Sequence, residues 1–381
     1  MNKFEVITDI YFGDNALERL SQLDGKKAFV ISDPFVVESG LIRHVTRPLD
    51  RGDINYVLYT DVCADPTTEK VIAGISAAVK ENPDFIIAVG GGSAMDLAKA
   101  IRKIAQQMDK TFNPRLIAIP TTSGTGSEVT SFSVITDTES HSKIPLASPD
   151  MTPDEAILDE ILVKSVPASV TADTGMDVLT HAIEAYVSTN NNEFSGALAE
   201  KSIEICGQFL YRSYMDNNDA HARRKVHIAA CLAGLAFNSA SLGLNHGMAH
   251  QLGAVFHIPH GRANAMLLPL IIEYNSSITR SSRSRQNYDP CVRKYCNIAH
   301  LLGLHGTNEV MTIHSLANYL RFMAEEMSIP MHLSEVLTCT KEEYESHLEE
   351  MAVAAMNDAC TQTNPRVPMK EEVIAIYKKL W

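Results

Sequence analysis

Between about residues 27 and 160 the chain alternates short, continuously apolar runs with stretches whose apolar residues recur at helical spacing. Residues 28–33, 54–59, 85–89 and 116–119 read as strands. Helical patterns lie near 36–50, 68–81 and 93–107. Nearly continuous apolar runs, with helices between them, predict a parallel sheet covered on both faces. Such sheets bind ligands at the carboxyl ends of their strands. After about residue 161 the strand signal stops, and long helical patterns follow over 193–214 and 220–240, with Asn190-Asn191-Asn192 as the loop before them. Pro167 and Gly175 are expected to break the first helices of this half, and Pro259 to break a helix before His260. A polar stretch near 276–290 lacks apolar periodicity and reads as a surface link or a charged helix start. The predicted fold is therefore an α/β N-terminal dinucleotide-binding domain, a Rossmann-like parallel sheet, over 1–160, joined to an all-α C-terminal domain over 161–381.

Composition narrows the setting. A chain of 381 residues exceeds one ordinary core, in keeping with two domains. No run reaches the roughly 18 uninterrupted apolar residues of a membrane span. The segment Met1-Asn2-Lys3-Phe4-Glu5-Val6 lacks the apolar stretch of a secretory signal. Seven scattered cysteines form neither a disulfide framework nor a zinc-ribbon spacing, which fits a reducing cytoplasm. A net charge of −13 argues against nucleic acid or an anionic membrane as partner.

Two runs in the helical half carry candidate metal chemistry: Asp177-Val-Leu-Thr-His181, and His246-Gly-Met-Ala-His250 followed by His260. Residues four apart on a helix point the same way, so Asp177 and His181 can share one cation, and His246 and His250 again share a face. A break at Pro259 lets the chain turn back and bring in His260. A lone His-x-x-x-His pair is more often solvated or hydrogen-bonded than metal-bound, and Asp-x-x-x-His pairs also occur as ordinary helix contacts. Three histidines and one carboxylate together suit zinc or ferrous iron, and suit magnesium or calcium poorly.

In the α/β half, Gly90-Gly91-Gly92-Ser93 follows a buried strand and opens a helix. Glycines permit close backbone approach, and a helix N-terminus offers free amides and a positive dipole end. Ser93 is expected as N-cap with Asp96 completing a capping box. A tight strand-to-helix turn with no ligand explains the same residues. Pro120-Thr121-Thr122-Ser123-Gly124-Thr125-Gly126-Ser127-Glu128 follows the next strand at the same sheet edge. Asp33 ends the first strand, where it can accept from a ribose diol and repel a 2′-phosphate, favouring NAD over NADP; a turn Asp before Pro34 accounts for it equally.

Taken together, these segments resemble the iron-containing (group III) alcohol dehydrogenase family, over nearly the whole chain from Asp9 to Trp381. The segments that carry the resemblance are Gly90-Gly91-Gly92-Ser93 through Asp96 and Lys99, Pro120 through Thr130, Thr174-Gly-Met-Asp177 through His181 and Glu184, and Asn245-His246 through His250, Gly253 and Pro259-His260-Gly261. The resemblance implies Asp177, His181, His246 and His260 as ligands of Fe(2+), with Zn(2+) possible. It implies His250 as a catalytic histidine near the substrate that helps relay a proton. It implies Gly91, Gly92, Ser93, Asp96, Thr121, Thr122, Thr125 and Lys143 around NAD(H), with cofactor and metal meeting in a cleft between domains, and a homodimer or larger homo-oligomer. Many members carry Asn-Pro-Thr where this chain has Asp65-Pro66-Thr67, and the added carboxylate disfavours NADP further. His257 has no implied metal role; with Phe132 and Phe256 it is a candidate for lining a compact, partly apolar pocket.

A narrower resemblance is to the 1-propanol dehydrogenases of propanediol-utilisation microcompartments. It rests on Asp65-Pro66-Thr67, Gly243-Leu244-Asn245-His246, Phe256-His257-Ile-Pro-His260 and Thr363-Asn364-Pro365-Arg366. It implies propanal and 1-propanol as substrate and product, and microcompartment proteins as partners. Other alcohols of the family (ethanol, 1,2-propanediol with lactaldehyde, 1,3-propanediol) stay open. So do a lyase resembling 3-dehydroquinate synthase and a non-enzymatic shell component. The lyase would call for a cluster of Lys and Arg beside the metal residues to hold a phosphate, and none stands around 177–181 or 246–260.

Overall fold

Phe85–Gly90 is buried at every position, as a strand covered on both faces must be. In the computed structural model, which describes residues 3–138, 142–276 and 290–381, it lies within a six-stranded sheet. The strands are β1 (Asp9–Phe12), β2 (Lys27–Ser32), β3 (Asn55–Tyr59), β4 (Phe85–Gly90), β5 (Arg115–Pro120) and, further along, β8 (Glu155–Leu158), in the order β1-β8-β5-β4-β2-β3. Every neighbouring pair is parallel. A separate antiparallel hairpin pairs β6 (Phe132–Asp137) with β7 (Ser142–Ala147). The chain divides into two compact units, Met1–Ser165 and Val166–Trp381.

Four strands lie where the apolar runs put them. β1, β8 and the hairpin strands β6 and β7 were not expected from the sequence. β1 and β8 have only four residues each, too few for a period to stand out, and the sheet supplies their pairing from afar. The single helix expected near 36–50 is two, α1 (Pro34–Glu38) and α2 (Arg43–Arg51), separated where Gly40 takes φ +79°. α3 (Thr68–Glu81) and α4 (Gly92–Met108) flank the sheet as expected. Order reverses between β2 and β4: β3 lies beyond β2 on one side, and β5 and β8 beyond β4 on the other. The carboxyl ends of β2 and β4 therefore border the crevice where open α/β sheets take ligands.

The second unit is helical throughout its described residues: α5 (Ala168–Val187), α6 (Glu193–Met215), α7 (Ala220–Ala240), α8 (Leu244–Phe256), α9 (His260–Asn275), α10 (Pro290–Leu301), α11 (Glu309–Glu326), α12 (Lys341–Ser346), α13 (Leu348–Asn357) and α14 (Lys370–Lys379), with short 3₁₀ turns between some of them. Gly175 does not break α5. A Cβ there would lie 2.1 Å from Leu210 Cδ1, so the glycine lets α6 pack closely against α5, and tertiary packing overrides its low propensity. Most of the polar stretch near 276–290 lies outside the described residues; Ser276 closes α9 and Pro290 opens α10. α5 is the central helix, buried at every residue from Gly175 to Val187. A helix buried all round is normally apolar all round. This one carries Asp177, Thr180, His181 and Glu184 inside that stretch, and each needs a partner there. Among the described residues no single helix is long and apolar enough to cross a membrane.

Candidate functional site

Helix periodicity sets Asp177 and His181 on one face of α5; α8 already ends at Phe256, with His257 as its C-cap, and Pro259 is the N-cap of α9, so that His260 becomes the first residue of α9. α8 contributes His246. One ligating atom from each of Asp177, His181, His246 and His260 lies within 4.8 Å of the other three. Asp177 Oδ1 is 3.6 Å from His246 Nε2 and 3.5 Å from His260 Nε2, and Asp177 Oδ2 is 3.9 Å from His181 Nδ1. Donors about 2.1 Å from a tetrahedral metal would stand roughly 3.4 Å apart. The observed spacing and the N₃O donor set fit zinc or ferrous iron. Asp177, His181 and His246 are buried, whereas the His260 side chain is 43% exposed.

The rings are fixed by stacking. His181 lies between Phe237 and His246, with both centroids at 4.6 Å. Burial pushes the Asp177 carboxyl up, but the charges of His181 and His260 and the hydrogen bond from His246 together hold it well below its ordinary range. Burial pulls His246 down; hydrogen bonds to Asp177 and Glu184 reverse this and carry it up to about 9. Protons and a metal therefore compete for the same nitrogen.

Three residues to which the sequence reading gave no role complete this centre. The Asn264 amide Nδ2 donates to Asp177 Oδ1 at 2.7 Å and lies 3.2 Å from His246 Nε2 and 3.1 Å from His260 Nε2. Asn245 Nδ2 in turn donates to Asn264 Oδ1 at 2.9 Å. Glu184 Oε2 accepts from His246 Nδ1 at 2.5 Å. A signal existed in the sequence: Glu184 is seven residues after Asp177 and Asn264 four after His260, each on the same helix face as its neighbour.

His250 is placed beside the set. Its ring stacks on that of His260 at 5.5 Å, and its Nδ1 is 2.8 Å from Asp358 Oδ2. His257 ends α8 as its exposed C-cap in the left-handed region at φ +55°, and Phe256 packs on Tyr344 and His347. Phe132 belongs to β6 of the first unit.

Gly261 lets α9 start against α5. A Cβ on it would meet Asp173 O at 2.1 Å and Asp177 Cβ at 3.3 Å. Arg262, next in sequence, clasps Asp173 at 3.1–3.2 Å. Gly261→Ala is expected to push the start of α9 away from α5 and carry His260 out of reach of Asp177. The cost is about 1–3 kcal/mol of overpacking. The measurable outcome is a lower melting temperature together with lost metal retention; a variant that melts and retains metal like the parent would contradict the packing account.

In the first unit, Asp33 follows β2, and Gly90, Gly91 and Gly92 run from the last residue of β4 to the first of α4. A Cβ on Gly90 would stand 3.0 Å from Asp33 Oδ2, on Gly91 3.5 Å from Thr122 Oγ1, and on Gly92 3.0 Å from Thr125 Cγ2. Thr121 N–H donates to Gly90 O at 3.0 Å. The structure thus brings Asp33, Gly91, Gly92, Thr121, Thr122 and Thr125 to one end of the sheet. Ser93 is not the cap of α4. That position is Gly91, which supplies no side-chain hydrogen bond, and Ser93 already lies inside the helix. Asp96 does not complete a capping box either. Its carboxylate accepts from Ser127 Oγ at 2.9 Å and Val134 N–H at 3.0 Å, fastening the β6–β7 hairpin to α4. The buried Lys99 serves the same junction, donating to Ser127 Oγ, Thr130 Oγ1 and Phe132 O; burial pulls its ammonium down to about 8. Lys143 Nζ pairs with Asp65 at 2.6 Å. First-turn amides of α4 left without a side-chain cap, beside glycines and threonines, suit a phosphate group.

Comparison with known proteins agrees with this geometry. The family profile described as iron-containing alcohol dehydrogenase matches residues 8–160, and that for the C-terminal part of the Fe-containing alcohol dehydrogenase family matches 171–381. The chain is 39% identical to an NADPH-dependent butanol dehydrogenase of Clostridium saccharobutylicum, over 99% of this chain and 97% of the relative. It is 40% identical to a 1-propanol dehydrogenase of Citrobacter freundii, over 96% of each. A crystal structure of 1,3-propanediol oxidoreductase superposes over 100% of both chains with a TM-score of 0.91 at 32% identity. The chain belongs to the iron-containing alcohol dehydrogenase family.

Proposed function

We propose that this protein interconverts a small uncharged aldehyde, propanal before others, and its primary alcohol, with NAD(H) as hydride carrier and a divalent metal held by Asp177, His181, His246 and His260. The convergence of these four donors on neighbouring helices carries the reading. Membership of an alcohol dehydrogenase family gives it its reaction class. A metal bound there supplies Lewis acidity toward the substrate oxygen, and the nicotinamide supplies or accepts the hydride. Zinc binds such donors more tightly than ferrous iron, so the family's iron depends on supply.

The chain's own residues do the rest. Asp33, the Gly90–Gly92 turn, Thr121, Thr122 and Thr125 bind the dinucleotide, with its pyrophosphate at the start of α4. Ser93 sits in that first turn; Asp96 and Lys143 support the region through the hairpin. Asp358 holds a proton on His250 Nδ1, so that Nε2 is free to exchange the proton that reduction consumes. The similarity to 1-propanol and butanol dehydrogenases supports short unbranched substrates. The finer part of this proposal is a homodimer in the cytoplasm and enclosure beside microcompartment proteins; only the enclosure draws support from the similarity to 1-propanol dehydrogenases.

A steady-state comparison of acetaldehyde, propanal, butanal, lactaldehyde and glycerol tests the substrate. One methylene in an apolar pocket is worth only about 1–3 kcal/mol. All three unbranched aldehydes are therefore expected to react, with propanal first. Reduction should dominate near pH 7 and alcohol oxidation improve as pH rises, because reduction consumes a proton and oxidation releases one. A much higher specificity constant for lactaldehyde or glycerol would reject propanal while leaving the metal-dependent dehydrogenase reading intact.

A further inference from the structure

Glu184 lies on the face of α5 that bears Asp177 and His181, and it is 3% exposed. A carboxylate at that depth needs partners. It finds three on α8. Oε1 accepts the Asn245 backbone N–H at 2.7 Å. Oε2 accepts the His246 backbone N–H at 3.4 Å and the His246 ring Nδ1–H at 2.5 Å. The two backbone groups belong to the first turn of α8, whose own N-cap, Gly243, provides no side-chain hydrogen bond. α5 thus supplies the cap that α8 lacks. Gly243 must be glycine for this to happen, since a Cβ would stand 2.6 Å from Glu184 Oε1 and 2.9 Å from Asn364 Oδ1.

We infer that Glu184 is a positioning residue of the metal centre: it selects the tautomer of His246 whose Nε2 lone pair faces the other donors. The inference rests on the metal reading above. A carboxylate only accepts, so the nitrogen against it carries the proton, and in a neutral imidazole the lone pair then sits on Nε2. That nitrogen is the one 3.6 Å from Asp177 Oδ1. The bond also makes His246 a stronger donor. One carboxylate therefore ties the start of α8 and the aim of its histidine to α5, which carries two of the other ligands.

Glu184→Gln separates these roles. The amide matches the carboxylate in shape, and its carbonyl can still accept from the Asn245 N–H. Its NH₂ then faces Nδ1, which must become the acceptor, and the proton moves to Nε2, where it blocks ligation. The experiment is chelator competition with Co²⁺ as the probe metal, read by affinity and by the visible absorption of the bound ion, alongside the melting temperature of the metal-free protein. Glu184→Gln is expected to weaken Co²⁺ binding by about 10–100-fold. In a His246→Gln background, whose weaker Co²⁺ binding is read by direct titration at high ion concentration instead of chelator competition, the same change should add less than about twofold, because its target is gone. Parent-like affinity in Glu184→Gln, or an equal loss in both backgrounds, overturns the inference. Should Glu184→Gln fail to fold, Gly243→Ala displaces the same carboxylate without removing its charge; it should weaken Co²⁺ comparably, and parent-like affinity there overturns the inference too. A parent protein that binds no Co²⁺ at all would instead overturn the metal reading, so the two failures are distinguishable.

Discussion

His246→Ala is expected to strip the protein of its metal and to lower kcat/KM for propanal by about 10³-fold, while NADH still binds. Lewis-acid stabilisation by a bound metal is worth several kcal/mol, and each 1.36 kcal/mol is about tenfold in rate. His246 is 1% exposed, so water cannot easily replace the missing nitrogen. The change also removes the ring that faces Glu184 and Asn264, leaving those buried polar groups with fewer partners. His260→Ala should lose metal and turnover on dialysis as well. Its side chain is 43% exposed, however, so water can enter, and this variant should recover metal when the ion is supplied in excess. Metal content after dialysis, with and without added ion, and NADH titration by fluorescence would check both variants. Full metal content in the dialysed His246→Ala protein would sink the assignment.

The difference between these variants shows what the sequence held and what it did not. Residue type and helical spacing nominated Asp177, His181, His246, His250 and His260 as candidates, because the i, i+4 rule is local and Pro259 precedes α9; which three of the histidines join Asp177 came only from the family resemblance. Exposure is not local. Nothing in His-Gly-Arg distinguishes a half-exposed His260 from a His246 wedged between other rings. The strands over 27–32, 85–90 and 115–120 were legible for a similar reason: continuous apolar runs report burial on both faces, whereas β3 over 55–59 is an edge strand with no buried residue and was legible only through its β-prone residues. β1 and β8 were not, since four residues hold no period and their pairing spans nearly the whole first unit. Gly175 misled because its reason lies on another helix, at Leu210. Ser93 and Asp96 misled in the opposite way: a good local capping pattern lost to a hairpin that claimed the carboxylate.

Glu184 belongs to this second class. Within α5 it reads as one more polar residue of the stretch that also carries Asp177, Thr180 and His181. Its meaning depends on α8 arriving without a cap of its own, and on Gly243 leaving room for the carboxylate to reach it. Residues that aim ligands are harder to read than ligands, because their partner is a backbone end whose sequence carries no donor or acceptor signal beyond a glycine.

Asp33→Gly is expected to raise the NADPH/NADH ratio of kcat/KM by about 10–10³-fold. Asp33 stands at the carboxyl end of β2, where strand order reverses beside β4. Its Oδ1 caps α1 by accepting Val36 N–H at 3.0 Å, and its Oδ2 faces the Gly90 turn. One oxygen is thus committed to the fold and the other is available to a ribose hydroxyl. A 2′-phosphate in that place would meet a carboxylate, and two unit charges at about 4 Å repel by roughly 1 kcal/mol in water and 4 kcal/mol near a protein surface. Glycine is the informative replacement. It serves as an N-cap at a cost of only a few tenths of a kcal/mol relative to Asp, so α1 should stay in place while the charge is lost. If Asp33 acted only as that cap, Asp33→Gly would lower stability slightly and move both cofactors together. Paired kinetic constants for NADH and NADPH, with the melting temperature of each protein, therefore decide between a turn residue and a cofactor selector: a ratio that does not move leaves Asp33 as the cap of α1.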